Sequence, residues 1–180
     1  MTSRIEVRLA GMGGQGMILA GVILADAAIR DGKNAAQTQS YGPEARGGAS
    51  RSEVVISNET IDYPEVIQAD ILLCMSQQAC DKYYSSLKDK GLLIVDSAHV
   101  RRTPTTRAVR AEFTSWAVEE TGREIPASVT ALGFLAGLTG LVSRPALEEA
   151  VLDRTPSGTG EMNLKALARG FAEAEALKRG

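Results

Sequence analysis

Six residues, Gly11-Met12-Gly13-Gly14-Gln15-Gly16, have the spacing with the clearest chemical meaning in the chain. They fit G-x-G-x-x-G between an alternating, branched run over 5–10 and a small, apolar run over 15–30. Glycines let the backbone approach a ligand closely, and the amides at a helix start point unpaired at an anion. The chemistry is therefore the holding of a phosphate by backbone. The same spacing also serves a tight strand-to-helix turn that binds nothing. A dinucleotide site would need an acidic residue at the end of the second strand for the ribose hydroxyls. "NAAQTQSYG" supplies none before Glu44, which argues against NAD and FAD and leaves another phosphate-bearing ligand.

A second loop, "SYGPEARGGAS", follows. Tyr41 and Arg46 are large polar groups held among glycines and a proline, and Gly47 and Gly48 permit positive φ. Arg46 and Arg51 could grip a phosphate or a carboxylate, or the loop is a surface turn with solvated arginines. Were the second strand parallel to the first and beside it, both loops would share one sheet edge. Arg46 could then give charge-assisted bonds to a phosphate on the glycine turn. The candidate binding residues are Gly13, Gly14, Gln15, Gly16, Ser40, Tyr41, Arg46 and Gly47.

No catalytic residue and no metal site are expected. Cys74 and Cys80 form no C-x-x-C pair and fall on different elements, with Cys74 in a buried run, so an iron–sulfur cluster on this chain is excluded. The single histidine, His99, and scattered carboxylates give no zinc spacing. There is no G-x-S-x-G elbow and no Walker lysine after the glycine loop. Asp96 ends "GLLIVD" where α/β sheets place ligand residues, or caps the next segment. His99, near a strand end, reads as a surface or capping residue, with a site residue as the alternative. These residues describe a binding module.

The elements must position those loops within one domain over 1–180. Strands are expected at 5–10, 34–39, 52–57, 69–75, 91–96 and 108–112. Helices are expected at 15–30, 77–87, 113–121, 128–141, 145–152 and 163–178. In the first helix Ile18, Val22, Ala25 and Ile29 form one stripe. Roughly ten residues join the second and third strands, too few for a parallel crossover, so the sheet turns back there. The expected fold is α/β: three layers, a mainly parallel or mixed sheet, and a helical C-terminal third. Ala131, Gly133, Ala136, Gly137 and Gly140 suit close helix packing in the core, or a partner-facing patch. A formal charge of −2 and 4% aromatics argue against nucleic acid. The longest apolar run, 129–142, is too short and glycine-rich for a bilayer. The N-terminus shows no signal peptide. Two cysteines fit a reducing, cytoplasmic setting.

"GMGGQGMILAGVILADAA", "SYGPEARGGAS", "SEVVIS", "ADILLCMS" and "GLLIVDS" occur in that order, with "ALGFLAGLTGLVS" and "EMNLKALARGF" after them. Together they resemble the gamma subunit of the 2-oxoacid–ferredoxin oxidoreductases over essentially the whole chain. The sequence is most similar to the 2-oxoglutarate branch, although pyruvate, branched-chain and indolepyruvate branches share the loops. The resemblance implies oxidative decarboxylation of a 2-oxoacid to its acyl-CoA, with electrons passing to ferredoxin. It places thiamine diphosphate and Mg on alpha and beta partners, and iron–sulfur clusters on beta or a delta chain. It associates this chain with coenzyme A as co-substrate, gives it an α/β layered fold, and implies that the isolated chain is inactive. No G-D-G start of a diphosphate–metal motif is present; "RDGKN" is a helix end. A stand-alone nucleotide- or phosphate-binding protein is the alternative.

Overall fold

A computed structural model describes residues 4–40 and 48–180. Six strands form one sheet: β1 (Arg4–Met12), β2 (Asn34–Ser40), β3 (Ala49–Ser57), β4 (Ala69–Cys74), β5 (Leu87–Asp96) and β6 (Val109–Ala111). Their order is β2-β3-β1-β4-β5-β6. β1, β4, β5 and β6 run parallel, whereas β3 is antiparallel to both β1 and β2. The sheet is mixed, as the short connection after β2 requires. β2 shares the direction of β1 but does not lie beside it, because β3 folds back between them. Ser40 pairs with Arg51, and Arg51 with Ala10. The ends of β1 and β2 thus share one edge of the sheet, two strand spacings or roughly 10 Å apart.

Strand residues alternate between two apolar faces. Val7, Leu9, Ile71, Leu73 and Ile94 join the larger cluster with α1 (Met17–Arg30), α3 (Phe113–Thr121), α4 (Ala127–Thr139), α5 (Arg144–Arg154) and α6 (Gly160–Arg179). Ala10, Leu72, Cys74, Leu93 and Val95 face α2 (Gln77–Tyr83) through Ala79, Cys80 and Tyr83. The result is the expected α/β/α layering with a helical C-terminal third. No described helix is long and apolar enough to cross a membrane. On the α2 face Arg8 and Glu53, cross-strand neighbours, form an ion pair at 2.8 Å that is almost wholly buried. Arg8 also donates to the Val66 carbonyl at 3.0 Å and to the Ser86 hydroxyl, which distributes the buried charge.

The small residues of α4 serve the interior. A Cβ on Gly133 would stand 2.3 Å from the Leu167 carbonyl oxygen, and one on Gly170 2.0 Å from that of Thr130. α4 and α6 therefore cross at backbone contact, and α4 is buried from Ala127 to Ala136.

Three expectations are corrected. The core stripe of α1 is Met17, Ala20, Gly21, Leu24, Ala27 and Ala28, joined by Ile23 and Ala25, while Ile29 is exposed. α1 is apolar over most of its circumference, but Asp26 and Arg30 continue the row of Ile18 and Val22, so that row lies away from the core. The opposite side approaches β3 closely, since a Cβ on Gly21 would meet the Ser52 hydroxyl. Second, the helix at 77 ends at Tyr83, a short 3-10 turn spans Tyr84–Ser86, and β5 begins at Leu87. Residues 88–90, left between the expected helix and strand, lie within β5, where the pairing with β4 shifts between Ala69 and Ile71. Third, β1 runs on through Gly11 and Met12, and α1 starts only at Met17.

Candidate functional site

The last residues of β1 lead into the loop Gly13-Gly14-Gln15-Gly16, and α1 follows at once. Gly14 (φ +88°) and Gly16 (φ +78°) are left-handed, a conformation that strains any residue with a Cβ. Gly16 is the N-cap and offers no side chain to the first-turn amides. Among the described residues, the amides of Gly13, Gly14 and Gly16 meet no acceptor. A Cβ at Gly13 or Gly14 would meet nothing within 4 Å, so the space before the loop is open to a ligand.

Gln15 braces this loop. Its Oε1 accepts the Met12 amide at 2.7 Å, its Nε2 donates to the Met75 carbonyl at 3.0 Å, and its own amide donates to the Met12 carbonyl at 3.2 Å. Gly11 makes room for the brace, since a Cβ there would lie 2.6 Å from Gln15 Oε1. The loop is thus fixed to the end of β4, and its amides are held in place before any ligand arrives.

A cavity of about 150 Å³ adjoins the loop, lined by Gly14, Gln15, Met75, His99, Thr114, Glu124, Ile125 and Ala127. Met75 follows β4, His99 follows β5, Thr114 lies in the first turn of α3 and Ala127 opens α4. The cavity therefore sits outside the carboxyl ends of the parallel strands, where α/β sheets hold ligands. Asp96 is fully buried and accepts hydrogen bonds from the Thr114 hydroxyl, the Thr114 amide at 3.5 Å and the Ala98 amide at 3.4 Å. It caps the segments on either side and so positions Thr114 and His99; it does not face a ligand itself. His99 is half-buried on the cavity wall.

Of the residues expected from sequence, Gly14 and Gln15 line the cavity, and Gly13 and Gly16 complete their loop. Ser40, the last residue of β2, lies at the same sheet edge two strands away. Tyr41, Arg46 and Gly47 lie outside the described residues. Arg51 turns to the α2 face, 3.2 Å from Glu53 and 5.5 Å from the centre of the Tyr83 ring. Thr114, Glu124, Ile125 and Ala127 escaped the sequence reading. They arrive about a hundred residues after the glycine loop, and the only local signals near 122–126 are the turn formers Gly122 and Pro126.

Cys74 and Cys80, separate in sequence, share a hydrogen bond on the α2 face. That bond, together with burial, pushes the Cys74 thiol up, while Cys80 is held down as the acceptor. Among the described residues, no group of three or more His, Cys, Asp or Glu could hold a metal ion.

The family model described as pyruvate ferredoxin/flavodoxin oxidoreductase matches residues 6–173. The 2-oxoglutarate synthase subunit KorC of Methanocaldococcus jannaschii is 51% identical over 179 residues, covering 97% of this chain and 96% of that protein. The crystal structure of the gamma subunit of a keto/oxoacid ferredoxin oxidoreductase from Geobacter sulfurreducens superposes with a TM-score of 0.86 at 49% identity, over 96% of this chain and 97% of that one. A 2-oxoglutarate:ferredoxin oxidoreductase from Magnetococcus marinus, solved with 2-oxoglutarate, coenzyme A and succinyl-CoA, shares the fold at a TM-score of 0.86 and 22% identity. There the match covers 98% of this chain but 32% of the longer polypeptide.

Proposed function

Because this chain belongs to the pyruvate ferredoxin/flavodoxin oxidoreductase family, as a subunit of a 2-oxoacid:ferredoxin oxidoreductase, we propose that its glycine loop holds a phosphate of coenzyme A in the assembled enzyme. The observation that carries this reading is the trio of amides at Gly13, Gly14 and Gly16 that meet no acceptor among the described residues, on a loop that Gln15 braces before α1 and that has open space around Gly13 and Gly14. Unpaired amides at a helix start favour an anion, and the helix dipole adds a modest attraction. A cavity of about 150 Å³ holds a phosphate-sized group but not a whole coenzyme. The remainder of coenzyme A therefore rests elsewhere in the complex. Ser40, at the edge that β1 and β2 share, is proposed as a further binding residue, and Tyr41, Arg46 and Gly47, which follow it in the sequence, are proposed to contribute to the same phosphate site.

We further assign the oxoacid to the 2-oxoglutarate class, which the 51% identity to a 2-oxoglutarate synthase subunit supports. In this reading thiamine diphosphate with Mg and the iron–sulfur clusters belong to alpha, beta or delta partners, and ferredoxin meets the complex there. Decarboxylation and electron transfer are thus the partners' chemistry. This chain binds, orients and completes the assembly.

Gly13→Val tests the site. Gly13 is not left-handed and a Cβ there meets nothing, so the substitution leaves the fold intact. A hydrogen bond to a charged group is worth about 1.5–3 kcal/mol. Blocking access to the loop should therefore raise the KM for coenzyme A roughly ten- to a hundredfold in the assembled enzyme, leaving the KM for the 2-oxoacid nearly unchanged. An unaltered coenzyme A KM would overturn the assignment.

A further inference from the structure

We propose that the arginine stretch between β5 and β6 is a docking face for the acidic surface of a protein that binds the assembled enzyme reversibly. Residues 101–110 hold Arg101, Arg102, Arg107 and Arg110 and no Asp or Glu, in a chain whose formal charge is −2. All four arginines are exposed. The stretch lies on the α2 face, where Val100 and Ala108 pack with Ala79, Cys80 and Tyr83. On the other side of the sheet, clustered arginines are neutralised: Arg30 meets Asp26, Glu149 and Asp153, and Arg169 meets Glu119, Glu120 and Glu173. Among the described residues Arg101, Arg107 and Arg110 meet no carboxylate, and Arg102 reaches only Asp81, at 3.8 Å with both side chains largely in water. A pair so long and so exposed holds little. Positive charge is therefore left uncompensated on one face of an acidic chain, and such a field draws anions to it.

The stretch is fixed along its length. Gln77, opening α2, accepts the amides of Arg101 and Arg102 at 3.0 and 3.2 Å. The Thr105 hydroxyl accepts the Arg107 amide at 3.2 Å, and the Arg107 guanidinium donates to the Asp89 carbonyl at 3.0 Å. The Arg110 guanidinium donates to the Val100 carbonyl. The cations are thus bonded to backbone, which holds them in place without cancelling their charge. Cys74 is level with Val95 and Ala69 with Leu87, so the Gln77 and Asp89 ends lie roughly 15 Å apart. That is several times the width of one phosphate group and suits a protein surface. At the Asp89 end Arg107 lines a cavity of about 300 Å³ with Tyr84, Ser85, Thr105 and Lys88, the last paired with Asp70, and the cavity has room for an acidic side chain. None of the exposed large apolar side chains of the described residues falls between Gln77 and Arg110. Permanent interfaces have apolar, charge-depleted centres, whereas charged patches steer reversible encounters. The occupant is therefore an acidic protein that comes and goes. The face lies away from the glycine-loop cavity and owes nothing to the coenzyme A assignment.

The test titrates fluorescently labelled poly-L-glutamate onto the assembled enzyme, with a single-stranded oligodeoxynucleotide of equal charge as the competing polyanion. Polyglutamate should bind the wild-type enzyme at low salt and weaken as salt is raised. Arg101→Glu with Arg107→Glu should weaken that binding about tenfold or more at low salt, since four units of charge change on the face. Arg101→Glu alone should weaken it about threefold; its guanidinium has no hydrogen bond or ion pair among the described residues, so the thermal transition should stay that of wild type. Arg179→Glu, at the exposed end of α6 on the other side of the sheet, should bind as wild type does. Unchanged affinity in both stretch variants would overturn the docking face. So would tighter binding of the oligodeoxynucleotide than of polyglutamate, which would make the face one for nucleic acid. Absence of polyglutamate binding to the wild-type assembled enzyme would overturn it as well, by showing the face to be covered by a fellow subunit.

Discussion

Replacing Gly170 by alanine sets two physical effects against each other, with opposite signs. In the interior of α6 the change should stabilise the helix by about 1 kcal/mol, because glycine gives up more backbone freedom on folding. The new Cβ, however, would stand 2.0 Å from the Thr130 carbonyl oxygen and 2.7 Å from the Phe134 nitrogen. Both are backbone atoms of α4, so neither can rotate away. Ordinary contact begins at 3.4 Å, and the helices must part by roughly 1.4 Å at that point, in a core that tolerates little change of volume. Gly133 and Gly137 lie in the same seam, against Leu167 and Ala174, so their contacts loosen too. Overpacking of this kind costs up to about 3 kcal/mol, leaving a net loss of about 2 kcal/mol. For a chain of this size that lowers the Tm by about 4–8 °C. Thermal and urea unfolding followed by circular dichroism measure it. A neutral or stabilised Gly170→Ala chain would mean that helix propensity governs the position and that the helices do not meet at backbone contact.

Two further outcomes follow from the buried and clustered charges. Arg8→Ala leaves Glu53 buried without its cation and should cost about 3–5 kcal/mol in urea unfolding; the Arg8→Met, Glu53→Leu pair should cost clearly less than Arg8→Ala, and an equal or greater cost would show that the charge is not what matters. Burial pushes the Asp26 carboxyl up, but bonds from Arg154 and Arg30 outweigh it, so its pKa lies below the ordinary aspartate value. The stability that Asp26 contributes, about 1 kcal/mol or less, should be present above the unfolded-state pKa of about 3.9 and lost as the pH falls through the lower folded value. Asp26→Asn should thus differ from wild type near neutrality and converge with it at about pH 2, and a constant gap across that range would refute the assignment.

Much of this could be read from the residue string because local signals and the fold agree. The glycine fingerprint after a branched strand located the turn before α1, and the short connection after residue 39 announced a mixed sheet. The string could not show that β3 inserts between β1 and β2, since strand order depends on pairing over distance. Nor did it show the job of Gln15, whose partner Met75 lies sixty residues away. The expected stripe of α1 is the wrong one because apolar residues cover most of the helix; Asp26 and Arg30, on the row of Ile18 and Val22, mark the outer side, and Gly21 against Ser52 marks the side that meets the sheet. Within the candidate site the backbone donors were legible, while the wall from Glu124 to Ala127 was not. That wall carries no motif and reaches the loop only once α4 has packed.

The Gln15 brace has a mechanical consequence. Met75, which it grips, is followed directly by Ser76, whose hydroxyl caps α2 by accepting the Ala79 amide. Gln77, the first residue of α2, accepts the amides of Arg101 and Arg102 and donates to the Arg102 carbonyl. Glycine loop, strand end, helix α2 and the segment after β5 are thus one continuous strut that passes through the plane of the sheet. The stiffness of the loop belongs to both faces: slack introduced at α2 becomes slack at Gly13 and Gly14, and a load placed on the glycine turn is carried across to the α2 side of the sheet.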